Sequence, residues 1–350
     1  MTPHPHTDPK PSTDPTLDID GHLATVTLRR PAAINALHPD DVDILTPMLT
    51  RLAADSAVQT IVLRGAGERG LCAGGDIKVV RTMIDSGRLD RLAAFWSAEY
   101  RLDYLIATCP KPVVTVAHGL TLGAGVGMAS HTSHRIVTDS TRLGMPEVLI
   151  GLSPDVGGLW LYSRAPGHTG TFAALTAAHL SAGDALYMGL ADHYVPESEL
   201  DALVDRLRYA PAAEVLEKYD SKPPSWIETH REELDTAFGA GSLTEITERA
   251  RAAGLPTDVL TSASPTALNF TREALRRAAR MTDLAQCLQQ DLVVGLHCAA
   301  YPDMAEGIRA RVVDKDRNPR WQPAALAEVT DADVARFFEP NGEPLQIPGW

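Results

Sequence analysis

Alternating apolar and polar residues predict the strands of the N-terminal half. Residues 23–28, LATVTL, alternate along a strand, and residues 60–67, 112–117 and 134–138 are short runs rich in β-branched residues. Between the second and third of these strands, apolar residues recur at helical spacing over residues 90–108, and prolines follow as stops. Strands that alternate with helices indicate an α/β layered core.

From about residue 168 the strand pattern disappears and helical spacing dominates. Helices are predicted over residues 169–180, 182–190, 199–209 and 266–281. We therefore divide the chain into a disordered leader, residues 1–17, an α/β core, residues 18–200, and a helical C-terminal region, residues 201–350. Within that last region, residues 210–256 are dense in charge and form an inserted or lid-like segment.

Composition and charge exclude several classes of protein. The chain is 44% hydrophobic and 22% charged, which is ordinary for a globular protein with a core. Its 32 basic and 45 acidic residues give a net charge of −13, which disfavours binding to nucleic-acid backbones and to anionic membranes. No apolar stretch approaches the ~18 residues that cross a bilayer.

The cysteines and the N-terminal residues predict a cytoplasmic protein. The four cysteines form no CxxC pair, so neither a disulfide framework nor a zinc module is expected, and no metal is predicted. The leader is rich in proline and lacks the apolar stretch of a secretory signal.

One glycine pattern points to a nucleotide fold only superficially. Gly65, Gly67 and Gly70 satisfy GxGxxG directly after a strand. That motif also needs a helix that opens on the third glycine, and here two more glycines follow instead. We interpret these glycines as belonging to a loop.

Two further glycine clusters suggest backbone donors for an anion. They are CAGGDI, residues 72–77, and HGLTLGAGVG, residues 118–127, each after a predicted strand. Amides at a helix N-terminus carry partial positive charge, and two such loops together stabilise a developing oxyanion. The alternative is that both clusters are tight turns required only for packing.

Two carboxylates stand eight residues apart in an otherwise apolar segment, MPEVLIGLSPDVGG, residues 145–158. Burial shifts the pKa values of such acids toward the range used in catalysis. The alternative makes Glu147 a helix-start residue and Asp155 the N-cap of the helix through Trp160.

Together, in this order, these clusters resemble the crotonase (enoyl-CoA hydratase/isomerase) superfamily. The resemblance covers residues 18–200 and resumes at residues 264–278 and 305–321, where EGIRARVVDKDRNPRW stands. Within the superfamily the chain is most similar to the 3-hydroxyisobutyryl-CoA hydrolases, enzymes of valine catabolism. This resemblance implies a core of ββα turns wound into a spiral, followed by a helical region, with acyl-CoA in a bent groove.

The resemblance also implies roles for particular residues. The backbone amides of Gly75 and Ala124 form the oxyanion hole, although the hydrolases have glycine in place of Ala124. Glu147 and Asp155 are the catalytic acids. The remaining residues expected to contact the substrate are Glu99, Ala73, Asp76 and Gly123.

One departure from the hydratases favours hydrolysis of the thioester. Hydratases of this superfamily use two glutamates, one at the position of Glu147 and one at the position of Gly127. Addition of water to a double bond needs a base and an acid, so the loss of one carboxylate impairs it. Asp155 stands where those hydratases have glycine and the hydrolases have aspartate.

Three functions remain open. The leading one is hydrolysis of a short-chain β-hydroxyacyl-CoA, followed by an enoyl-CoA hydratase or isomerase of the same fold and a catalytically weak acyl-CoA-binding protein. No cofactor is required, because CoA enters as part of the substrate. The resemblance also suggests a homo-oligomer, a trimer or a hexamer, unless residues 210–256 cover that surface.

Basic residues are expected at the CoA phosphates, and His118 is expected to be structural. The candidates for the phosphates are Lys78, Arg29 or Arg30, and Lys315. Asn35 borders the same path.

Overall fold

Eight strands form two layers in the computed structural model, which describes residues 13–347. They are β1 (Thr16–Asp20), β2 (Leu23–Leu28), β3 (Thr60–Gly65), β4 (Val113–Ala117), β5 (Leu120–Leu122), β6 (His134–Val137), β7 (Arg142–Gly144) and β8 (His193–Tyr194). The four strands predicted from alternation are β2, β3, β4 and β6, so those predictions are confirmed.

Helices make up most of the remaining chain. They are α1 (Pro39–Ala54), α2 (Ile77–Asp85), α3 (Leu89–Ala107), α4 (Ala124–Ser130), α5 (Gly158–Tyr162), α6 (Thr169–Thr176), α7 (Ala182–Tyr187), α8 (Leu200–Leu207), α9 (Ala212–Leu216), α10 (Trp226–Thr229), α11 (Arg231–Phe238), α12 (Leu243–Ala252), α13 (Asp258–Ser262), α14 (Pro265–Ala278), α15 (Leu284–Ala300), α16 (Pro302–Ile308) and α17 (Asp331–Arg336). A 3₁₀ turn covers Glu147–Ile150, and a π-helical turn covers Arg309–Val313. The long helix predicted between the second and third strands is α3.

The chain winds as a spiral of ββα turns, as the resemblance implied. The large sheet has the order β1-β2-β3-β4-β6-β8 and is parallel except for β1, and β5 pairs with β7 in a second, parallel layer. From β4 the chain passes through β5 to α4, and from β6 through β7 to the 3₁₀ turn. Each of these two turns thus adds one strand to each layer before a helix.

The central strands are apolar because both faces of the large sheet are covered. All five residues of β4 are buried, as expected for a parallel strand inside two layers. One face packs against α8 and α9 through Leu203, Leu207 and Val215. The other face joins the main hydrophobic core, which continues into the C-terminal helices.

Two boundaries differ from the sequence predictions. Thr16 and Leu17 pair with β2 in β1, so the leader predicted over residues 1–17 ends earlier, and residues 1–12 lie outside the described part of the chain. Strands also do not end at residue 168, because β8 pairs with β6. With only two residues, β8 is too short to show any alternation.

The segment 210–256 packs on other helices. It contains α9, which lies beside α8, α10 and α11, which pack against α7 and α6 respectively, and α12, which packs against α11. Arg231 of α11 donates a hydrogen bond to the Tyr187 hydroxyl of α7 at 3.0 Å. Among residues 13–347, no helix combines the length and apolar character needed to cross a membrane.

Candidate active site

A cavity of about 270 Å³ lies beside the second strand layer. Its walls come from five parts of the chain: the loop before α2, α3, the loop before α4, residues 146–156 and residues 304–312. Four of these parts carry motifs singled out from the sequence, including the start of EGIRARVVDKDRNPRW, and α3 carries Glu99. No residue of the segment 210–256, interpreted above as inserted or lid-like, is among the lining residues.

The two glycine loops meet at the cavity. Gly74 has φ +106° and Gly123 has φ +51°, values that favour glycine. A Cβ on Gly123 would lie 3.4 Å from the Gly74 Cα and 2.8 Å from the Glu147 Oε1 atom. Close approach of the loops to each other and to Glu147 therefore requires these glycines.

Gly75 and Ala124, whose amides the resemblance assigns to an oxyanion hole, both line the cavity. Leu37 donates to the Gly74 carbonyl and accepts from the Asp76 amide, a parallel bridge that leaves the Gly75 N–H on the opposite side. Ala124 is the first residue of α4, where amides have no acceptor within the helix.

Glu147 begins the 3₁₀ turn and faces the cavity with only 7% of its surface exposed. Its Oε1 atom lies against Gly123, and its Oε2 atom has no hydrogen-bond partner among the described residues. Burial raises the pKa of Glu147 well above its ordinary value, and the nearby Asp155 carboxyl raises it further. The Oε2 atom is therefore free to bind a substrate or a water molecule.

Asp155 is the second acid of the cavity, 8% exposed. The Tyr100 hydroxyl of α3 donates to its Oδ2 atom at 2.8 Å. Burial raises the pKa of Asp155 to about 6, although this hydrogen bond acts in the opposite direction. The alternative that Asp155 is an N-cap is wrong, because Gly157 occupies that position and no side chain caps α5.

Glu99 of α3 completes an acidic end of the cavity. Its side chain is 4% exposed and lines the cavity, so it does not face solvent on the outer side of the helix. Burial raises the pKa of Glu99 well above its ordinary value, and Asp155 adds to this effect. The geometry thus brings together three of the residues predicted to contact the substrate: Glu99, Ala73 and Gly123.

Asp76, the fourth of these residues, is not among the lining residues. Its Oδ2 atom accepts a hydrogen bond from Arg30 at 2.8 Å, and Arg30 also donates to the Ala36 carbonyl. The pair ties the first glycine loop to the segment after β2. Arg30 is therefore committed within the protein, whereas Arg29, Lys78 and Lys315 are exposed outside the cavity lining.

Gly127 leaves no room for a side chain. A Cβ at this position would lie 2.7 Å from the Asp103 Oδ1 atom and 2.8 Å from the Val156 Cβ, both closer than a Cβ tolerates. The place predicted to lack a carboxylate is thus filled by neighbours, and one of them is itself an acid.

The remaining motifs have structural explanations. His118 contacts the Gly67 carbonyl through Nε2 at 2.9 Å and does not line the cavity. A Cβ on Gly70 would meet the Leu120 backbone at 2.3 Å, and the next helix starts only at Ile77. The loop interpretation of the GxGxxG pattern is confirmed. Within residues 13–347, no group of acids, histidines and cysteines is arranged to hold a metal ion.

The family profile described as enoyl-CoA hydratase/isomerase matches residues 23–338. The chain belongs to the enoyl-CoA hydratase/isomerase family. The chain is also 35% identical to the protein of Gallus gallus named 3-hydroxyisobutyryl-CoA hydrolase, mitochondrial, over 96% of this chain and 91% of that protein. The human protein of the same name is 33% identical, over 93% of this chain and 88% of its own length.

Solved structures of the family share the whole architecture. A structure described as a carnitinyl-CoA dehydratase from Mycobacterium thermoresistibile superposes with a TM-score of 0.92 and 38% identity, over 97% of this chain and all of that one. One described as an enoyl-CoA hydratase from Rhodobacter sphaeroides 2.4.1 gives 0.86 and 34%, over 93% and 97%. These similar proteins are therefore named as a hydrolase, a dehydratase and a hydratase.

Sequence reasoning missed three residues of this family member's site. Asp103 and Asp291, 1% and 4% exposed, lie behind Asp155, and burial raises the pKa of each well above its ordinary value. Arg311 of the π-helical turn lines the cavity and donates to the Leu149 carbonyl at 3.2 Å. A signal existed for Asp103, which follows Glu99 by one helical turn. Arg311 lies within the EGIRARVVDKDRNPRW motif but was not singled out there, and nothing in the local sequence distinguishes Asp291.

Proposed function

We propose that this chain hydrolyses the thioester of a short-chain β-hydroxyacyl-CoA of the 3-hydroxyisobutyryl-CoA kind. The observation that carries the proposal is the burial of Glu147 and Asp155 in one cavity beside the Gly75 and Ala124 loops. A protein that only binds acyl-CoA has no need of two acids that are costly to bury. The names of the relatives that cover nearly the whole chain support the same chemistry.

The two amides act on the carbonyl oxygen of the thioester. In the transition state this oxygen gains negative charge, and the N–H groups of Gly75 and Ala124 donate to it. Loss of one such donor typically costs about 10²–10³ in rate, so the pair accounts for a large part of the acceleration.

Glu147 reacts at the carbonyl carbon or on the attacking water. In one route a carboxylate oxygen of Glu147 attacks, the C–S bond breaks, and water then hydrolyses the anhydride. In the other route Glu147 takes a proton from water, which attacks directly, and the proton passes to the departing CoA sulfur. Both routes consume one water and yield a carboxylic acid and free CoA thiol.

Asp155 and Glu99 recognise the polar end of the acyl group. Burial raises the pKa of Asp155 to about 6, against the lowering effect of the Tyr100 hydrogen bond, so at neutral pH this acid accepts from the substrate hydroxyl or from the attacking water. Apolar walls from Phe95, Trp96 and Leu152 suit a short carbon chain. The Ala124 methyl group narrows the pocket relative to glycine.

A second candidate, addition or removal of water at an enoyl-CoA, is favoured by the likeness to the dehydratase and hydratase structures. It requires Glu147 and Asp155 to serve as the acid and the base. The filled space at Gly127 speaks against it, because no further carboxylate fits there without movement of Asp103 or Val156.

The deciding experiment measures free thiol released from 3-hydroxyisobutyryl-CoA and 3-hydroxypropionyl-CoA, with loss of the enoyl absorbance of crotonyl-CoA followed in parallel. We expect thiol release without hydration, and Glu147→Gln to lower kcat by at least about a hundredfold. The matched control is Glu68→Gln, an exposed glutamate outside this cavity. Hydration without thiol release would contradict the proposal and favour the second candidate.

Three expectations stay predictions. They are the binding of the CoA phosphates by Lys78, Arg29 and Lys315, the cytoplasmic location, and the assembly into a trimer or hexamer. The two hydrolases described above are named as mitochondrial proteins, and their names do not mention an oligomeric state.

A further inference from the structure

Val156 has an unfavourable backbone conformation next to a catalytic acid. Its φ is +48°, in the left-handed region that β-branched residues rarely adopt. Such a conformation persists only where the surrounding structure enforces it. Val156 follows Asp155 directly, and both residues line the cavity.

His131 holds one side of the peptide that follows Val156. Its Nε2 atom lies 2.8 Å from the Val156 carbonyl oxygen. Burial lowers the pKa of His131 to about 4, so the ring is neutral near pH 7 and its Nε2–H donates to this carbonyl.

Asp291 holds the other side of the same peptide. Its Oδ2 atom accepts a hydrogen bond from the Gly157 N–H at 2.9 Å, and its side chain is 4% exposed. His131 ends α4 and Asp291 lies in α15, so two elements far apart in sequence fix both polar groups of one peptide plane.

We propose that His131 and Asp291 are positioning residues that force Val156 into its left-handed conformation and thereby aim Asp155 into the cavity. The inference rests on the proposed role of Asp155. The strained peptide and the Tyr100 hydroxyl hold Asp155 from two directions, through its backbone and through its carboxyl group. We call the hydrogen bonds of His131 and Asp291 to this peptide the clamp. It matters because a misplacement of a catalytic group by about 1 Å can lower the rate about a hundredfold.

The first test compares Val156→Gly with Val156→Ala. Both remove the isopropyl group from the cavity wall, but only glycine tolerates φ +48° without strain. We expect the glycine variant to melt at the higher temperature, with kcat and KM similar to those of the alanine variant, because the hydrogen bonds of His131 and Asp291 hold both backbones in the same conformation. A glycine variant whose kcat falls about tenfold or more below that of the alanine variant would overturn the proposal, because the residue at position 156 and not the two hydrogen bonds would then aim Asp155.

The second test keeps or removes the donor of His131. His131→Gln places an amide nitrogen at the same distance along the side chain, whereas His131→Leu has none. We expect the leucine variant to lose kcat by about tenfold or more, with little change in KM, and the glutamine variant to recover most of it. Equal losses in both variants, or a loss confined to KM, would contradict a positioning role. If His131→Leu does not fold, the Val156 pair decides.

Failure of the clamp can be distinguished from failure of the proposed hydrolysis. The wild-type chain is assayed first on hydroxyacyl-CoA and on crotonyl-CoA. Activity only on crotonyl-CoA would contradict the proposed hydrolysis. The kcat and KM of the same variants would then be measured for hydration of crotonyl-CoA. The melting temperatures need no substrate. Val156→Ala melting above Val156→Gly would overturn the clamp whichever thioester reacts.

Discussion

Asp155 is a buried acid that forms no salt bridge with any of residues 13–347. The Tyr100 hydroxyl contributes a single hydrogen bond, and the pKa of Asp155 still rises from 3.8 to about 6. The difference corresponds to about 3 kcal/mol in the free energy of unfolding. At neutral pH the protein is thus less stable because it holds a carboxylate in its cavity, a cost that the proposed role of Asp155 would explain.

Replacement of this acid gives a stability effect that depends on pH. The folded protein keeps the Asp155 proton up to about pH 6, whereas the unfolded chain releases it near pH 3.8. Protonation therefore favours the folded state at low pH, and this contribution is lost as the pH rises through about 6. At pH 8 we expect Asp155→Asn to unfold at a higher temperature than the wild type, with an unfolding free energy greater by up to about 3 kcal/mol. At pH 4 we expect the two proteins to unfold at nearly the same temperature.

The measurement is thermal unfolding at pH 4, 6 and 8, followed by circular dichroism. Asp18→Asn is the matched control, because Asp18 is exposed on β1 and pays no desolvation cost. A gap between wild type and Asp155→Asn that stays constant with pH would contradict the raised pKa.

Sequence reasoning succeeds for single residues when a motif surrounds them. Glu147 and Asp155 stand among glycine and apolar residues that mark a cavity wall, and both do line it. Asp291 stands in helical sequence that looks ordinary, because packing between distant elements brings it to Gly157. Arg311 lies in a recognised motif, but the motif does not reveal its contact with Leu149. Asp76 is the opposite case. It lies within a motif and was expected to contact the substrate, yet its carboxylate pairs with Arg30 and it is not among the residues that line the cavity.

At the scale of elements, α4 is packed too closely to accept any side chain at Gly127. Alanine is favoured over glycine in a helix by about 1 kcal/mol, but its Cβ would lie 2.7 Å from the Asp103 carboxyl and 2.8 Å from Val156. Overpacking of this kind costs about 1–3 kcal/mol of stability, which exceeds the gain in helix propensity.

We therefore expect Gly127→Ala to lower the unfolding free energy in a urea titration, and Gly127→Glu to lower it further without any gain of crotonyl-CoA hydration. Gly241→Ala is the matched control, since its Cβ would contact only the flexible end of Glu245. Hydration by Gly127→Glu would show that Asp103 and Val156 yield, contrary to the packing described.

Elements with regular periods are predictable, and short ones are not. β4 and α3 are recognisable because their side chains repeat over many positions. β8 and α10 have two and four residues, which is less than one reliable period. Their conformations depend on the sheet edge and on the helices that they contact.

At the scale of the whole molecule, the core crosses the boundary that we placed at residue 200. The main hydrophobic cluster runs from Ala24 of β2 to Phe337, which stacks on Phe270 of α14 with 4.5 Å between ring centroids. Sequence patterns locate a change from strands to helices there, but they do not reveal whether packing is interrupted.

A continuous core predicts one cooperative unfolding transition. Far-ultraviolet and near-ultraviolet circular dichroism should give the same midpoint in urea. Phe270→Ala should move both curves together to lower urea, by about 3–5 kcal/mol in the unfolding free energy. The surface variant Tyr209→Ala should leave both in place, because Tyr209 is 84% exposed. Two separate midpoints would mean that the α/β core and the helical region unfold independently.

The contact of Arg311 with Leu149 spans 162 positions of the chain and has a consequence during biosynthesis. A ribosome adds about 5–20 residues per second, so both glycine loops, Glu147 and Asp155 emerge many seconds before the wall formed by Met304, Arg311 and Val312. Until then the acids stand in an open cleft that water fills and in which a thioester has only part of its binding surface. The nascent chain therefore acquires its enclosed cavity only after residues 304–312 have emerged.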